Sequence, residues 1–234
     1  MEIIFSFLSM GKKKNICLYW APGSFGDIIN YLLINSGYIS ACDTPYVDNA
    51  GRVCYSFNDK FNDLFNFSAE EQETFYLRTW SSEDLIKVSN LKNYIIGTHR
   101  IDQAKFIKET LKNQIQLVGI TYTPDYYNML LKNCVNKVLV NDATFEKHVS
   151  QNNEKLIKKF KEKNLYASYL LKVFQRYGMK EILTQVDDQF DQSIPIDLLI
   201  NGDLEQLTNL LSLNTTQTSQ EFFTLWYQKQ NFNN

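Results

Sequence analysis

The feature that most constrains this chain is an apolar run that ends in a glycine-containing turn and continues directly as a helix. Residues 15–21 (Asn-Ile-Cys-Leu-Tyr-Trp-Ala) form a continuous apolar segment typical of a strand buried on both faces. The run breaks at residues 22–27 (Pro-Gly-Ser-Phe-Gly-Asp), and apolar side chains then recur at helical spacing from Ile28 to Leu33, with Gly37 as the expected stop. This order predicts a βα unit of a parallel sheet.

The rest of the chain continues the alternation of strands and helices. Three more apolar runs predict strands at residues 93–98, 115–122 and 194–199. Helical periodicity and capping residues predict helices at 68–78, 101–112, 123–136, 143–178, 203–213 and 218–230. Residues 38–66 are mixed in character and predict a loop with short irregular pieces. The pattern favours an α/β fold with a parallel sheet of about four or five strands and helices on both faces.

Length and composition limit the classes of protein to which the chain can belong. With 234 residues, we treat 12–234 as a single domain and 1–11 as an N-terminal extension, in which Met10 is an alternative start to Met1. A net charge of −2 argues against a nucleic-acid binder that works by bulk positive charge. No stretch is apolar enough to span a membrane, so a cytoplasmic protein is expected.

The cysteines and histidines indicate no metal site. The 4 cysteines form no C-x-x-C pair, and the chain has only 2 histidines. A zinc site needs clustered soft ligands, so we expect reduced and mostly buried thiols instead.

The turn at residues 22–27 is the strongest candidate for a ligand site. Glycines allow successive backbone N–H groups to converge, and the helix that follows adds its positive N-terminal end. The segment therefore predicts an anion nest suited to a phosphate, although the same residues also fit a tight turn that only reverses the chain. Asp27 would repel a phosphate, and we expect it to cap the helix with its side chain turned away. We expect Gly26→Val to block anion binding while leaving the fold intact.

His99 is the second candidate. It follows directly after a predicted buried strand, where open α/β sheets place ligands. A structural role is the alternative for a single histidine in this position.

Read together, these segments resemble the sulfotransferases that use 3′-phosphoadenosine 5′-phosphosulfate (PAPS), particularly the divergent forms of phages and large viruses. Residues 19–28 resemble the loop that binds the 5′-phosphosulfate, and Ile96-Gly97-Thr98-His99 is similar to the Lys-Thr-His motif. Residues 194–207 and the ending Phe222…Trp226…Gln230 are similar to the last part of the viral forms. The resemblance implies a three-layer fold of P-loop type and transfer of a sulfuryl group to a hydroxyl of a carbohydrate or small molecule.

The same resemblance implies the site residues. The cofactor PAPS would be bound by Gly23, Ser24, Phe25, Gly26 and Asp27, and His99 would be the catalytic base. Thr123 would replace part of the family's contacts to the 3′-phosphate, because residues 122–127 contain neither the Arg nor the Ser usual there.

The sequence departs from the family at charged positions, which keeps two alternatives open. Gly23 stands where the loop lysine is common, Gly97 stands where the lysine two residues before the histidine is common, and Asp27 stands where a threonine is usual. One alternative is a P-loop kinase of a nucleotide or small molecule. The other is a catalytically inactive interaction protein on the same scaffold.

Overall fold

The centre of the protein is a parallel sheet, seen in a computed structural model that describes residues 14–21, 25–47, 53–68, 71–72, 75–126, 129–130 and 190–230. The strands are β1 (Asn15–Tyr19), β2 (Cys42–Val47), β3 (Val53–Phe57), β4 (Ile95–Thr98), β5 (Ile115–Thr121) and β6 (Gln192–Pro195). The α-helices of these ranges are α1 (Gly26–Asn35), α2 (Asp59–Phe65), α3 (Ser82–Ser89), α4 (Ile101–Leu111), α5 (Ile196–Ile200), α6 (Leu204–Leu210) and α7 (Gln217–Gln230). Short 3₁₀ turns cover Phe75–Leu77, Lys112–Gln114 and Pro124–Tyr126.

The sheet has the order β4-β1-β5-β6 in the described residues, and all its neighbouring strands are parallel. The apolar strand β1 lies in the interior, with Ile16 opposite Ile95 on one side and Asn15 opposite Ile115 on the other. The predicted α/β fold with a parallel sheet of four or five strands is therefore confirmed, with four strands in the described residues.

Alternation along β1 divides the core into two layers. Leu18 and Trp20 belong to the cluster that packs on α1, α5, α6 and α7. Cys17 and Tyr19 point to the opposite face, where the cluster contains side chains of α2, α3 and α4. Helices thus cover both faces, as predicted, because a strand buried on both faces needs an apolar partner layer on each side.

The predicted loop at residues 38–66 is wrong. The segment contains the antiparallel hairpin of β2 and β3 and then α2, whose N-terminus is capped by the side chain of Asn58. β2 carries Asp43 and Pro45 and leaves Tyr46 59% exposed, so it lacks the apolar run by which buried strands are recognised. Its partner strand, rather than its own pattern, makes it a strand.

The predicted strand at residues 194–199 is also partly wrong. β6 begins two residues earlier, and the chain turns into α5 directly after Pro195. Proline has no N–H to donate to a sheet and is favoured just before a helix, which explains a strand end at this residue. Asp203 caps α6 as predicted by accepting a hydrogen bond from the Gln206 N–H. The cap of α7 is Thr216 rather than Thr218.

The remaining predicted segments are described by the structure only in part or not at all. The predicted capping pair Ser68 and Glu71 is hydrogen-bonded, but Phe75–Leu77 is a 3₁₀ turn rather than part of an α-helix. The helix predicted after Thr123 begins as a 3₁₀ turn at Pro124–Tyr126. The N-terminal extension 1–11 and the helical segment 143–178 lie outside the described residues. Among the helices of the described ranges, none is long and apolar enough to be a membrane span.

Candidate functional site

The order of the strands changes direction at β1, and such a change leaves a crevice at the carboxyl end of the sheet. From β1 the chain passes to β4 on one side and then crosses to β5 on the other. In open α/β sheets, ligands bind outside the carboxyl ends of the strands at such a switch point. The segments after β1 and β5 meet there, because the Ala21 N–H donates a hydrogen bond of 2.9 Å to the Tyr122 hydroxyl. Thr123, which follows Tyr122, is exposed at this edge.

The predicted anion nest begins where β1 ends. Gly23 and Ser24 lie outside the described residues. Phe25 has the left-handed backbone conformation (φ 66°, ψ 16°), and Gly26 is the first helical residue of α1. A left-handed residue followed by a right-handed one turns successive N–H groups toward the same side, which is the geometry of a backbone nest. Together with the N-terminal end of α1, this arrangement can bind a phosphate or sulfate group.

Phe25 takes part in this arrangement through its backbone. Its side chain is buried, and its ring packs edge-to-face on Trp226 of α7 with 5.5 Å between the centroids. The left-handed conformation costs a residue with a Cβ about 1–2 kcal/mol. Burial of the ring offsets this cost, since a buried phenylalanine side chain contributes about 1.5–3 kcal/mol.

Asp27 does not cap α1, which corrects our expectation. The capping position is occupied by Phe25 and has no side-chain hydrogen bond, whereas Asp27 lies inside the first turn. A carboxylate there is stabilised by the positive end of the helix. It also places a negative charge next to the nest.

The indole of Trp20 fills the space between the nest and β4. A Cβ atom on Gly26 would lie 2.1 Å from Cγ of Trp20, and a Cβ on Gly97 would lie 2.8 Å from Cη2 of the same ring. Both glycines are therefore required by the ring that packs on them. The expectation that Gly26→Val leaves the fold intact is wrong for this reason.

His99 also contacts this tryptophan and is half-buried just after β4. Its ring is edge-to-face with that of Trp20 at 4.8 Å, and its Nδ1 is 2.9 Å from the Trp20 carbonyl oxygen. Because a carbonyl oxygen only accepts hydrogen bonds, Nδ1 is the donor and carries the proton. The neutral ring then has its lone pair on Nε2, which is the nitrogen that can accept a proton from a substrate. Sequence reasoning placed His99 and Gly26 at the same edge, and both contact one indole.

Three residues of the site escaped the sequence analysis: Trp20, Tyr76 and Tyr122. Trp20 and Tyr122 lie at the carboxyl ends of the predicted strands 15–21 and 115–122, so their positions at this edge of the sheet were a usable indication. Tyr76 had no such indication, since its backbone and ring contacts with the end of β4 are long-range. Within the described ranges, no cluster of three or more His, Cys, Asp or Glu side chains is placed to hold a metal ion.

Comparison with known proteins gives no assignment. No family model and no curated protein matches the chain. Among solved structures, the shikimate kinase of Bacteroides thetaiotaomicron is similar at a TM-score of 0.40 and 14% identity, over 86% of this chain and 99% of that one. The function therefore has to be inferred from the site itself.

Proposed function

We propose that this protein transfers a sulfuryl group from PAPS to a hydroxyl of a carbohydrate or small molecule, with His99 as the general base. The observation that carries the proposal is the hydrogen bond between His99 Nδ1 and the Trp20 carbonyl oxygen. It leaves the lone pair of the ring on Nε2, and His99 follows β4 at the carboxyl edge of the sheet, where the anion nest is expected.

The chemistry follows from these positions. The acceptor oxygen forms a bond to sulfur while the bond from sulfur to the bridging oxygen of the 5′-phosphate breaks, and the acceptor proton moves to His99 Nε2. The products are a sulfate ester and 3′-phosphoadenosine 5′-phosphate. Residues 22–27 and the N-terminal end of α1 would hold the 5′-phosphate and stabilise the charge on the departing oxygen. The exposed Thr123 hydroxyl at the end of β5 is available to the 3′-phosphate.

A second candidate function is phosphoryl transfer from ATP with magnesium. The position of Asp27 in the first turn of α1 favours it, because a carboxylate beside a phosphate site is repulsive unless a cation bridges the two groups. In this case binding of the nucleotide requires Mg²⁺. A non-catalytic interaction protein would bind neither nucleotide.

Thermal unfolding with each nucleotide tests these functions. At 100 times its dissociation constant, 3′-phosphoadenosine 5′-phosphate should stabilise the protein by about 2.7 kcal/mol, without a requirement for Mg²⁺. Stabilisation by ATP only in the presence of Mg²⁺ would instead support the kinase. Absence of both effects would refute nucleotide-dependent transfer.

The role of His99 is tested separately by His99→Gln. This variant keeps a hydrogen-bonding side chain but cannot take up the proton. Turnover should fall at least about 100-fold while the stabilisation by the nucleotide stays unchanged. His148→Gln removes the other histidine and serves as the control. Full activity of His99→Gln would exclude the histidine from the mechanism.

A further inference from the structure

Tyr76 joins three parts of the protein at the candidate site. It lies in the 3₁₀ turn Phe75–Leu77, and its carbonyl oxygen accepts hydrogen bonds from the His99 N–H at 2.9 Å and from the Thr98 hydroxyl at 3.3 Å. The end of β4, including the backbone of His99, is therefore held by the backbone of Tyr76.

The ring of Tyr76 also contacts the candidate base. Its centroid is 4.7 Å from that of Trp20 and 5.4 Å from that of His99. A Cβ atom on Gly97 would lie 2.6 Å from Cε1 of Tyr76, so the ring packs directly on the backbone of β4. A shift of this ring would therefore move the two groups between which the Nδ1 hydrogen bond is made.

The hydroxyl of Tyr76 is fixed by a buried polar network. It lies 2.7 Å from Cys42 Sγ of β2, and Asn30 Nδ2 of α1 donates to it at 3.4 Å. Ser40 links the same two elements, because its hydroxyl donates to Asn30 Oδ1 at 3.1 Å and accepts from the Cys42 N–H at 3.3 Å. Asn30, Ser40 and Cys42 are all buried. Buried polar networks of this kind select a single arrangement, since an unmade hydrogen bond is expensive there.

We infer that Tyr76 is a positioning residue, whose hydroxyl locks α1 and the β2–β3 hairpin to the turn that orients His99. Its backbone holds the backbone of His99, its ring packs beside the imidazole, and its hydroxyl fixes the ring. The Nδ1–H tautomer of His99 then depends on a hydroxyl that lies on the far side of the tyrosine ring. The catalytic consequence rests on the proposed function, but the tautomer does not.

Nitrogen NMR of the imidazoles measures the tautomer without any substrate. The chain has only 2 histidines, so His148→Gln assigns both sets of signals. At alkaline pH, where imidazole is neutral, wild-type His99 should be mainly the Nδ1–H form. Tyr76→Phe keeps the ring and removes the hydroxyl, and we expect the ratio of Nδ1–H to Nε2–H to fall about 5- to 10-fold, as for the loss of one hydrogen bond.

Matched variants separate positioning from a general loss of structure. Tyr19→Phe removes another buried tyrosine hydroxyl, one that has no hydrogen-bond partner among the described residues, and should leave the tautomer ratio of His99 unchanged. Cys42→Ala removes the nearer of the two partners of the Tyr76 hydroxyl and should lower the ratio as Tyr76→Phe does, whereas Cys42→Ser retains a hydrogen-bonding group and should keep the wild-type ratio. An unchanged ratio in both Tyr76→Phe and Cys42→Ala, or an equal change in Tyr19→Phe, would overturn the inference.

If the proposed function holds, turnover gives a second measurement. Tyr76→Phe should lower kcat in proportion to the loss of the Nδ1–H population measured by NMR and leave stabilisation by 3′-phosphoadenosine 5′-phosphate unchanged. If no nucleotide binds to the wild type, the proposed function fails while the NMR result still decides the role of Tyr76. A wild-type kcat in a variant whose Nδ1–H population has clearly fallen would refute the catalytic part alone.

Discussion

Replacing Gly26 by alanine should strongly destabilise the protein, and the cause should be the indole of Trp20. The added Cβ would lie 2.1, 2.2 and 2.5 Å from Cγ, Cδ2 and Cδ1 of that ring. Favourable contacts between carbon atoms have separations of about 3.5–4.0 Å, so the overlap exceeds about 1 Å. Trp20 cannot easily move away, because it is 1% exposed and its ring packs against those of Tyr76 and His99.

The expected cost comes from the overpacking of cores. Forced insertion of a methyl group into a well-packed site typically costs about 1–3 kcal/mol, and we expect Gly26→Ala to lower the free energy of unfolding by about 3 kcal/mol. In the absence of the ring the sign should change, since alanine is favoured over glycine in a helix by up to about 1 kcal/mol. The effect of Gly26→Ala should therefore depend on whether residue 20 is tryptophan.

Urea unfolding of a double-mutant cycle measures this dependence. Trp20→Ala alone should cost about 3–5 kcal/mol, and the cycle can be measured in a stabilising osmolyte. Gly26→Ala should be neutral or stabilising in that background, which gives a coupling free energy of about 3–4 kcal/mol. A loss below about 0.5 kcal/mol in the wild type, or the same loss in both backgrounds, would refute the role of the indole.

Two further predictions concern the contacts around the site and the aromatic layer behind it. Tyr122→Phe removes the acceptor of the Ala21 N–H at the switch point, so, under the proposed function, the dissociation constant of 3′-phosphoadenosine 5′-phosphate should rise about 5-fold; an unchanged constant by calorimetry would contradict this. Burial opposes ionisation of Asp84, but the Arg78 guanidinium at 2.8 Å and the Ser81 N–H hold its pKa below the usual value. Because the folded-state pKa is lowered, the carboxylate stabilises the fold above the unfolded-state pKa of about 3.9, and this stabilisation is lost as the pH falls through the folded-state pKa. Asp84→Asn should therefore cost about 1–2 kcal/mol at neutral pH and progressively less below about pH 4. Acid titration of the free energy of unfolding measures this, and a difference that stays constant with pH would contradict it.

Arg78 illustrates a contact set that sequence patterns do not reveal. Its guanidinium lies over the rings of Phe65, Phe67 and Trp80 at 5.5, 4.7 and 5.4 Å and also pairs with Asp84. These rings come from α2, from the loop after it and from the segment before α3. No periodicity relates such positions, because they are brought together only by packing on the face of the sheet that carries Tyr19.

The elements that sequence alone determined are those whose pattern is local and strong. The apolar runs of β1, β4 and β5 and the periodicity of α4 were predicted to within about two residues, since a strand buried on both faces and an amphipathic helix each impose their own spacing on apolar side chains. The position of His99 at the carboxyl edge followed in the same way, because parallel strands end at a common edge.

What only the tertiary structure decided are the features that need partners from distant parts of the chain. The hairpin of β2 and β3 exists because its two strands pair with each other. The tautomer of His99 is set by a carbonyl 79 positions earlier, and Gly26 and Gly97 are required by one indole between them. Such contacts depend on where side chains lie after the sheet and its helices have packed. A sequence pattern does not give the distance between residues that are far apart in the chain.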